Sequence, residues 1–175
     1  MAERLVAQPA FQVTGFQWPV RVYWEDTDAG GIVFYANYLK FFERARTEWL
    51  RSLGIEQQHL KDSTGGMFVV SETNARYYCP ARLDDALIVT ARVLEMGRTS
   101  MIIKHQVLLK TEHKSVSSGL IEHASTSLLS SSLLAENSME LRLLCEGTIR
   151  IGWVQASNLQ PCRIPAAVFE RLKTC

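Results

Sequence analysis

Three carboxylates stand within four positions, Glu25, Asp26 and Asp28, and two glycines, Gly30 and Gly31, follow almost at once. The run "EDTDAGGIVFYANYLKFFERARTEWL" then passes through aromatic residues into a helical pattern. Acids ahead of a helix complement the partial positive charge of its N-terminus, yet three acids and a Gly-Gly pair exceed what a cap requires. Alternation along an extended segment sends Glu25 and Asp26 to opposite sides, which leaves Asp28 in the turn. Glycine admits backbone geometries closed to other residues, so Gly30 and Gly31 would let a ligand approach main-chain N–H groups. The N-terminus of the following helix adds donors. A carboxylate facing such donors is a minimal hydrolytic site: the acid is nucleophile or general base for water, and the amides stabilise an oxyanion. The plainer alternative is an acidic surface turn or cap.

So little machinery suits a thioester better than an amide. A thiol has a pKa of roughly 8.5, so it can leave as thiolate without a strong acid to protonate it. No nucleophile elbow, HExxH segment or P-loop occurs in the chain.

The elements that must hold this loop can be read on either side of it. Phe16 to Glu25 reads as a strand, with Val20, Val22 and Trp24 on one face and Arg21 and Tyr23 on the other. A helix is expected from about Asn37 to Leu53, with Asn37 as N-cap and Gly54 at the C-terminal position. Tyr38, Phe41, Phe42, Ala45, Trp49 and Leu53, widened by Leu39 and Leu50, form a stripe broad enough to require cover on most sides. The outer face carries Glu43, Arg44, Glu48 and Arg51, with Arg44 and Glu48 at i,i+4 spacing. Downstream, residues 66–78, 85–96, 100–110 and 143–154 alternate as strands, with "MGRT" as a hairpin turn, and 165–173 reads as a short helix opened by Pro165. One buried helix followed by consecutive strands predicts an α+β fold, an antiparallel sheet wrapped around the helix. Exposed sheet edges favour pairing with a second copy, so a dimer or larger assembly is expected.

Residues 111–142 break the pattern. Nine serines lie between Ser115 and Ser138, with leucine pairs at Leu128-Leu129 and Leu133-Leu134. This reads as a surface insertion in one domain spanning 15–175, after an N-terminal extension over 1–14.

Bulk properties narrow the classes. The chain has 175 residues, 47% of them hydrophobic and 21% charged, as in an ordinary globular domain. A net charge of +1 argues against a dedicated nucleic-acid binder. Cys79, Cys145, Cys162 and Cys175 are scattered without a CxxC pair, so reduced thiols are expected rather than a disulfide framework or a metal site. The N-terminus lacks the apolar core of a signal peptide, and no window approaches the roughly 20 apolar residues of a membrane span. A cytoplasmic location follows as an expectation.

"VYWEDTDAGGIVFYANYLKFFERARTEWLR" resembles the signature of hotdog-fold acyl-CoA thioesterases of the 4-hydroxybenzoyl-CoA thioesterase superfamily, closest to the YbgC-type, Tol-Pal-associated group. "YYCPARLDDALIV" (77–89) and "LQPCRIP" (159–165) resemble two further blocks of that group. The resemblance implies a hotdog fold, assembly as a homodimer or homotetramer, a place at the inner membrane's periphery, and hydrolysis of acyl-CoA without metal or other cofactor. It places the catalytic acid, the second Asp of D-x-D, on Asp28 and the carbonyl-polarising N–H on Tyr35, with Glu25 and Asp26 supporting. Gly30, Gly31 and Asn37 line the same loop as candidate substrate contacts. Arg98, in the "MGRTS" turn, is a candidate for the CoA phosphates, beside Arg76, Arg82, Arg92 and Lys104. Tyr35 stands where many YbgC-type sequences carry His, and the 111–142 insertion has no counterpart in the group's pattern.

Two other readings stand beside this one. The chain could be a non-catalytic module that binds acyl carrier protein or envelope proteins through a sheet edge or the serine-rich insertion. A hotdog dehydratase would pair a histidine with an acid, but His59, His105, His113 and His123 all lie far from Asp28 in sequence and read as surface or strand residues.

Overall fold

The computed structural model describes residues 13–112 and 139–173. Its centre is helix α1 (Asn37–Ser52), in which Tyr38, Phe41, Phe42, Ala45, Trp49 and Leu50 are buried. Their three- and four-residue spacing makes one wide face, and a single curved sheet covers it. The strands are β1 (Phe16–Arg21), β2 (Gly66–Tyr77), β3 (Ala86–Met96), β4 (Ser100–Glu112) and β5 (Met139–Gln155). They run β1-β3-β4-β5-β2, every neighbouring pair antiparallel. Val89, Ile103, Ile149, Ile151 and Trp153 turn inward to meet α1. This is the expected α+β hotdog arrangement.

The helix lies against the sheet where β5 has Gly147. A Cβ there would stand 2.7 Å from the Asn74 carbonyl oxygen and 2.8 Å from the Phe42 ring, so only glycine lets α1 come this close. Two smaller helices complete the chain, α2 (Gln57–Thr64) and α3 (Ala166–Lys173). The sequence reading has no counterpart to α2, whose eight residues bury no side chain completely and so carry no apolar stripe to detect.

Several local expectations are corrected. The first strand stops at Arg21, and Trp24–Asp26 form a 3-10 turn, which swings Trp24 out to 78% exposure instead of joining Val20 and Val22 in the core. Asn37 is not the N-cap of α1. That position is Ala36, with no side-chain capping bond, because the Asn37 amide is turned back into the preceding loop. On the outer face of α1, Glu48 pairs with Arg51 rather than Arg44, and Arg44 lies over the Phe41 ring. The insertion is shorter than 111–142: Thr111 pairs with Glu140 and Glu112 with Met139, as the last rungs of the β4–β5 ladder. Its remainder, and residues 1–12 of the N-terminal extension, lie outside the described residues.

Strand β2 is a sheet edge, paired on one side by β5 alone. Between this edge and the outward side of α1 runs a groove of about 530 Å³, lined by residues that include Leu39, Lys40, Arg44, Val70 and Ile149. The backbone groups of the β2 edge and this groove form one continuous open flank.

Candidate active site

The three acids have three different fates. Asp26 is buried at 1% exposure. Its carboxylate accepts the Tyr23 N–H at 2.9 Å, while its carbonyl accepts both the Phe34 N–H and the Asn37 side-chain amide, each at 2.9 Å. It ties the end of the first strand to the start of α1. Glu25 is exposed. Asp28 opens a tight turn: its N–H donates to Ile32 O at 2.9 Å, its carbonyl accepts the Gly31 N–H at 2.9 Å, and Thr27 bridges Val33. Gly31 sits at φ +71°, left-handed backbone that favours glycine, with open space where a side chain would go. One Asp28 carboxylate oxygen accepts the Gly30 N–H at 2.8 Å. The side chain is exposed, and its second oxygen has no partner among the described residues.

From this turn the chain enters α1 without a side-chain cap. The first N–H groups of a helix have no intrahelical acceptor, and a cap or a ligand must satisfy them. Here the Phe34 carbonyl accepts the Asn37 N–H at 2.8 Å, whereas the N–H groups of Tyr35 and Ala36 have no acceptor among the described residues. The Tyr35 side chain is 63% exposed and packs against Phe34, with ring centroids 4.6 Å apart. Its carbonyl accepts the Tyr77 hydroxyl at 3.1 Å. Tyr38, one turn into the fold, is buried and accepts the Ala81 N–H at 2.9 Å. An exposed carboxyl group with one oxygen free and free helix-start donors therefore flank one short stretch of chain, a pairing whose chemistry suits attack on a carbonyl and stabilisation of the oxygen that becomes charged.

The other predicted contacts divide. Gly30 and Gly31 are in the Asp28 turn, as expected. Asn37 is close by, but its side chain is buried and engaged with the Asp26 carbonyl. Arg98 is exposed in the β3–β4 turn, where its carbonyl accepts the Ile164 N–H at 2.9 Å. The Asp28 loop joins the opposite end of β3, through Val22 N–H to Asp85 O. At about 3.3 Å per residue the strand separates the two by on the order of 30 Å, so a single chain does not bring Arg98 to Asp28.

Two groups were not marked by the sequence. His105, read as a surface or strand residue, lies on β4 and is fully buried, stacked on Phe42 with Nδ1 2.8 Å from Thr90 O and Nε2 3.4 Å from Arg46 Nη1. Tyr77 ends β2 in the repeated tyrosines of "ARYYCP", whose alternation alone would have placed one ring inward. Among the cysteines, burial pushes the Cys145 thiol up to about 12, so it is no thiolate nucleophile at neutral pH. Among the described residues no group of three or more His, Cys, Asp or Glu side chains is placed to hold a metal ion.

Fold and loop together have the form of a hotdog thioesterase, and known proteins agree. The thioesterase superfamily model matches residues 30–116. The acyl-CoA thioester hydrolase YbgC of Escherichia coli O6:H1 is 47% identical over 95 residues, 54% of this chain and 70% of that protein. The acyl-CoA thioesterase YbgC of Haemophilus influenzae is 46% identical over 97 residues, 55% of this chain and 71% of that protein. In structure, a 4-hydroxybenzoyl-CoA thioesterase mutant complexed with 4-hydroxybenzoyl-CoA superposes with a TM-score of 0.69 at 18% identity, covering 89% of this chain and 96% of that one. A gentisyl-coenzyme A thioesterase gives 0.65 at 22% identity, over 89% and 98% of the two chains. The chain belongs to the thioesterase superfamily, in the family of the YbgC acyl-CoA thioesterases.

Proposed function

We propose that the chain hydrolyses acyl-CoA thioesters, with Asp28 as the reacting carboxylate and the helix-start N–H groups, that of Tyr35 first, polarising the thioester carbonyl. The observation that carries this is the contrast between two neighbouring aspartates: Asp26 is buried and committed to the backbone, while Asp28 is exposed with one oxygen free. As general base, Asp28 takes a proton from water as that water adds to the carbonyl. As nucleophile, it forms a mixed anhydride that water then opens. In both routes the tetrahedral oxyanion rests on the N–H groups, and its collapse breaks the carbon–sulfur bond and releases CoA as thiolate.

No acid is needed for that departure, and this sets the test. Alkyl oxygen esters leave as alkoxides, far stronger bases than a thiolate of pKa roughly 8.5, and should be turned over at least ~100-fold more slowly than the matching thioesters. Acid release from paired thioester and oxygen-ester substrates of the same acyl group measures this. Equal rates on the two would contradict a site without a leaving-group acid.

The assembly we propose is a homodimer that closes the β2 edge and the adjoining groove on α1. Arg98 would then meet the CoA phosphates from the second protomer, since it cannot within one. Light scattering should report twice the chain mass at micromolar concentration; a monomer would contradict this assembly. No helix among the described residues is long and apolar enough to cross a membrane, and a cytoplasmic place of action, with peripheral contact at the inner membrane, completes the proposal.

A further inference from the structure

The two free N–H groups at the α1 start need fixed directions if they are to stabilise an oxyanion, because donors that must reorganise during the reaction lose their advantage. The peptides here are trans, so each N–H points opposite its own carbonyl, and whatever holds the carbonyl aims the N–H. The Phe34–Tyr35 peptide is held locally, by the Asn37 N–H on Phe34 O at 2.8 Å. The Tyr35–Ala36 peptide is held from 42 residues away, by the Tyr77 hydroxyl on Tyr35 O at 3.1 Å.

Tyr77 is itself braced for this. It is the last residue of β2, and its register partner on β5 is Cys145. Its ring meets Tyr38 edge-on at 5.5 Å and Tyr35 edge-on at 6.4 Å. Tyr38 is in turn fixed by the Ala81 N–H. Burial, then the neighbouring Cys145 and Tyr35, raises the Tyr77 phenol above its ordinary value, so it remains a donor.

We infer that Tyr77 is a positioning residue for hydrolysis: its hydroxyl holds the Tyr35 carbonyl so that the amide following it, the Ala36 N–H, stays aimed beside the Tyr35 N–H at the developing oxyanion. The inference rests on the reading of Asp28 and the helix start given above. Tyr77 touches neither reacting atom. It acts through the peptide that it holds.

Tyr77→Phe keeps the ring and both edge-on contacts and removes only the hydroxyl. A single hydrogen bond of this kind should change kcat by about three- to tenfold, with KM within twofold. A structural role alone would not separate two inhibitors, which gives the decisive readout. Affinity for a trifluoromethyl-ketone analogue of acyl-CoA, which adopts the tetrahedral form, should fall by the same factor as kcat. Affinity for a non-hydrolysable CoA thioether should stay within twofold. Tyr77→Leu, which also loses the ring packing, should lower the thermal midpoint as well. Equal losses for both inhibitors in Tyr77→Phe, or no loss in either, would overturn the inference. Asp28→Asn assayed alongside keeps the two claims apart: an inactive Asp28→Asn with an unaffected Tyr77→Phe removes only the role of Tyr77, whereas an active Asp28→Asn removes the reading on which it rests.

Discussion

Acidification from pH 7 to pH 5 is expected to destabilise the protein steeply, and His105→Gln should remove most of that slope. His105 is completely buried between α1 and the sheet. Its Nδ1 lies 2.8 Å from the Thr90 carbonyl, which can only accept, so Nδ1 carries the hydrogen and Nε2 is the unprotonated nitrogen facing Arg46. A second proton would go to Nε2, beside a guanidinium and against the Phe42 face, with no acceptor. Burial first, and the Arg46 charge second, bring its pKa down to about 3. In the unfolded chain the value is near 6.5. Between those values the unfolded state binds a proton that the folded state refuses, so stability rises with pH from about 3 to about 6.5 and is level above. The limiting slope is about 1.4 kcal/mol per pH unit, and from pH 7 to pH 5 the loss is about 2 kcal/mol. Against a total stability of roughly 5–15 kcal/mol that is a large fraction. Urea unfolding midpoints at the two pH values measure it. Gln retains a donor for Thr90 O but does not titrate, so wild type and variant should diverge as pH falls. Parallel curves would contradict the buried neutral imidazole.

The same residue shows what the sequence made legible and what it hid. The α1 stripe was readable because a 3.6-residue period marks one face whatever packs on it. The strands were readable from their alternation. His105 sits on such an alternating strand, inward between Ile103 and Val107, yet its polar type led to its being read as a surface or strand residue. What the pattern could not supply was the polar partner, because Arg46 comes from the helix and Thr90 from another strand. The site divides along the same line. Asp28, Gly30 and Gly31 form one local turn and could be read locally. Asn37 was read as a cap because its type and position suited one, but the Asp26 carbonyl competed for its amide and won. Arg98 was grouped with the site on charge alone, and only the strand length between them separates it. Tyr77 could be found only from the tertiary packing of the end of β2 against the start of α1, which brings it to Tyr35 across 42 residues.

Asp28→Asn is expected to lower kcat by at least ~100-fold and up to ~10⁴-fold, the range for loss of a positioned general base, with KM changed little. The substitution spares the turn. An amide oxygen can still accept the Gly30 N–H as the carboxylate does, and Asp28 is exposed, so the new amide hydrogens meet water. What is lost is the free carboxyl oxygen, which in the proposed reaction takes a proton from water or attacks the carbonyl, and an amide does neither. Asp26→Asn is the matched control. It buries amide hydrogens where a carboxylate was, so it should lower the thermal midpoint. The most direct measurement is therefore CoA thiol release from acyl-CoA by wild type and Asp28→Asn, each with its thermal midpoint determined on the same preparation. The predicted result is turnover by the wild type, loss of at least ~100-fold in the variant, and nearly equal midpoints. Turnover by Asp28→Asn within a few-fold of wild type would contradict the assignment of Asp28 as the working carboxylate.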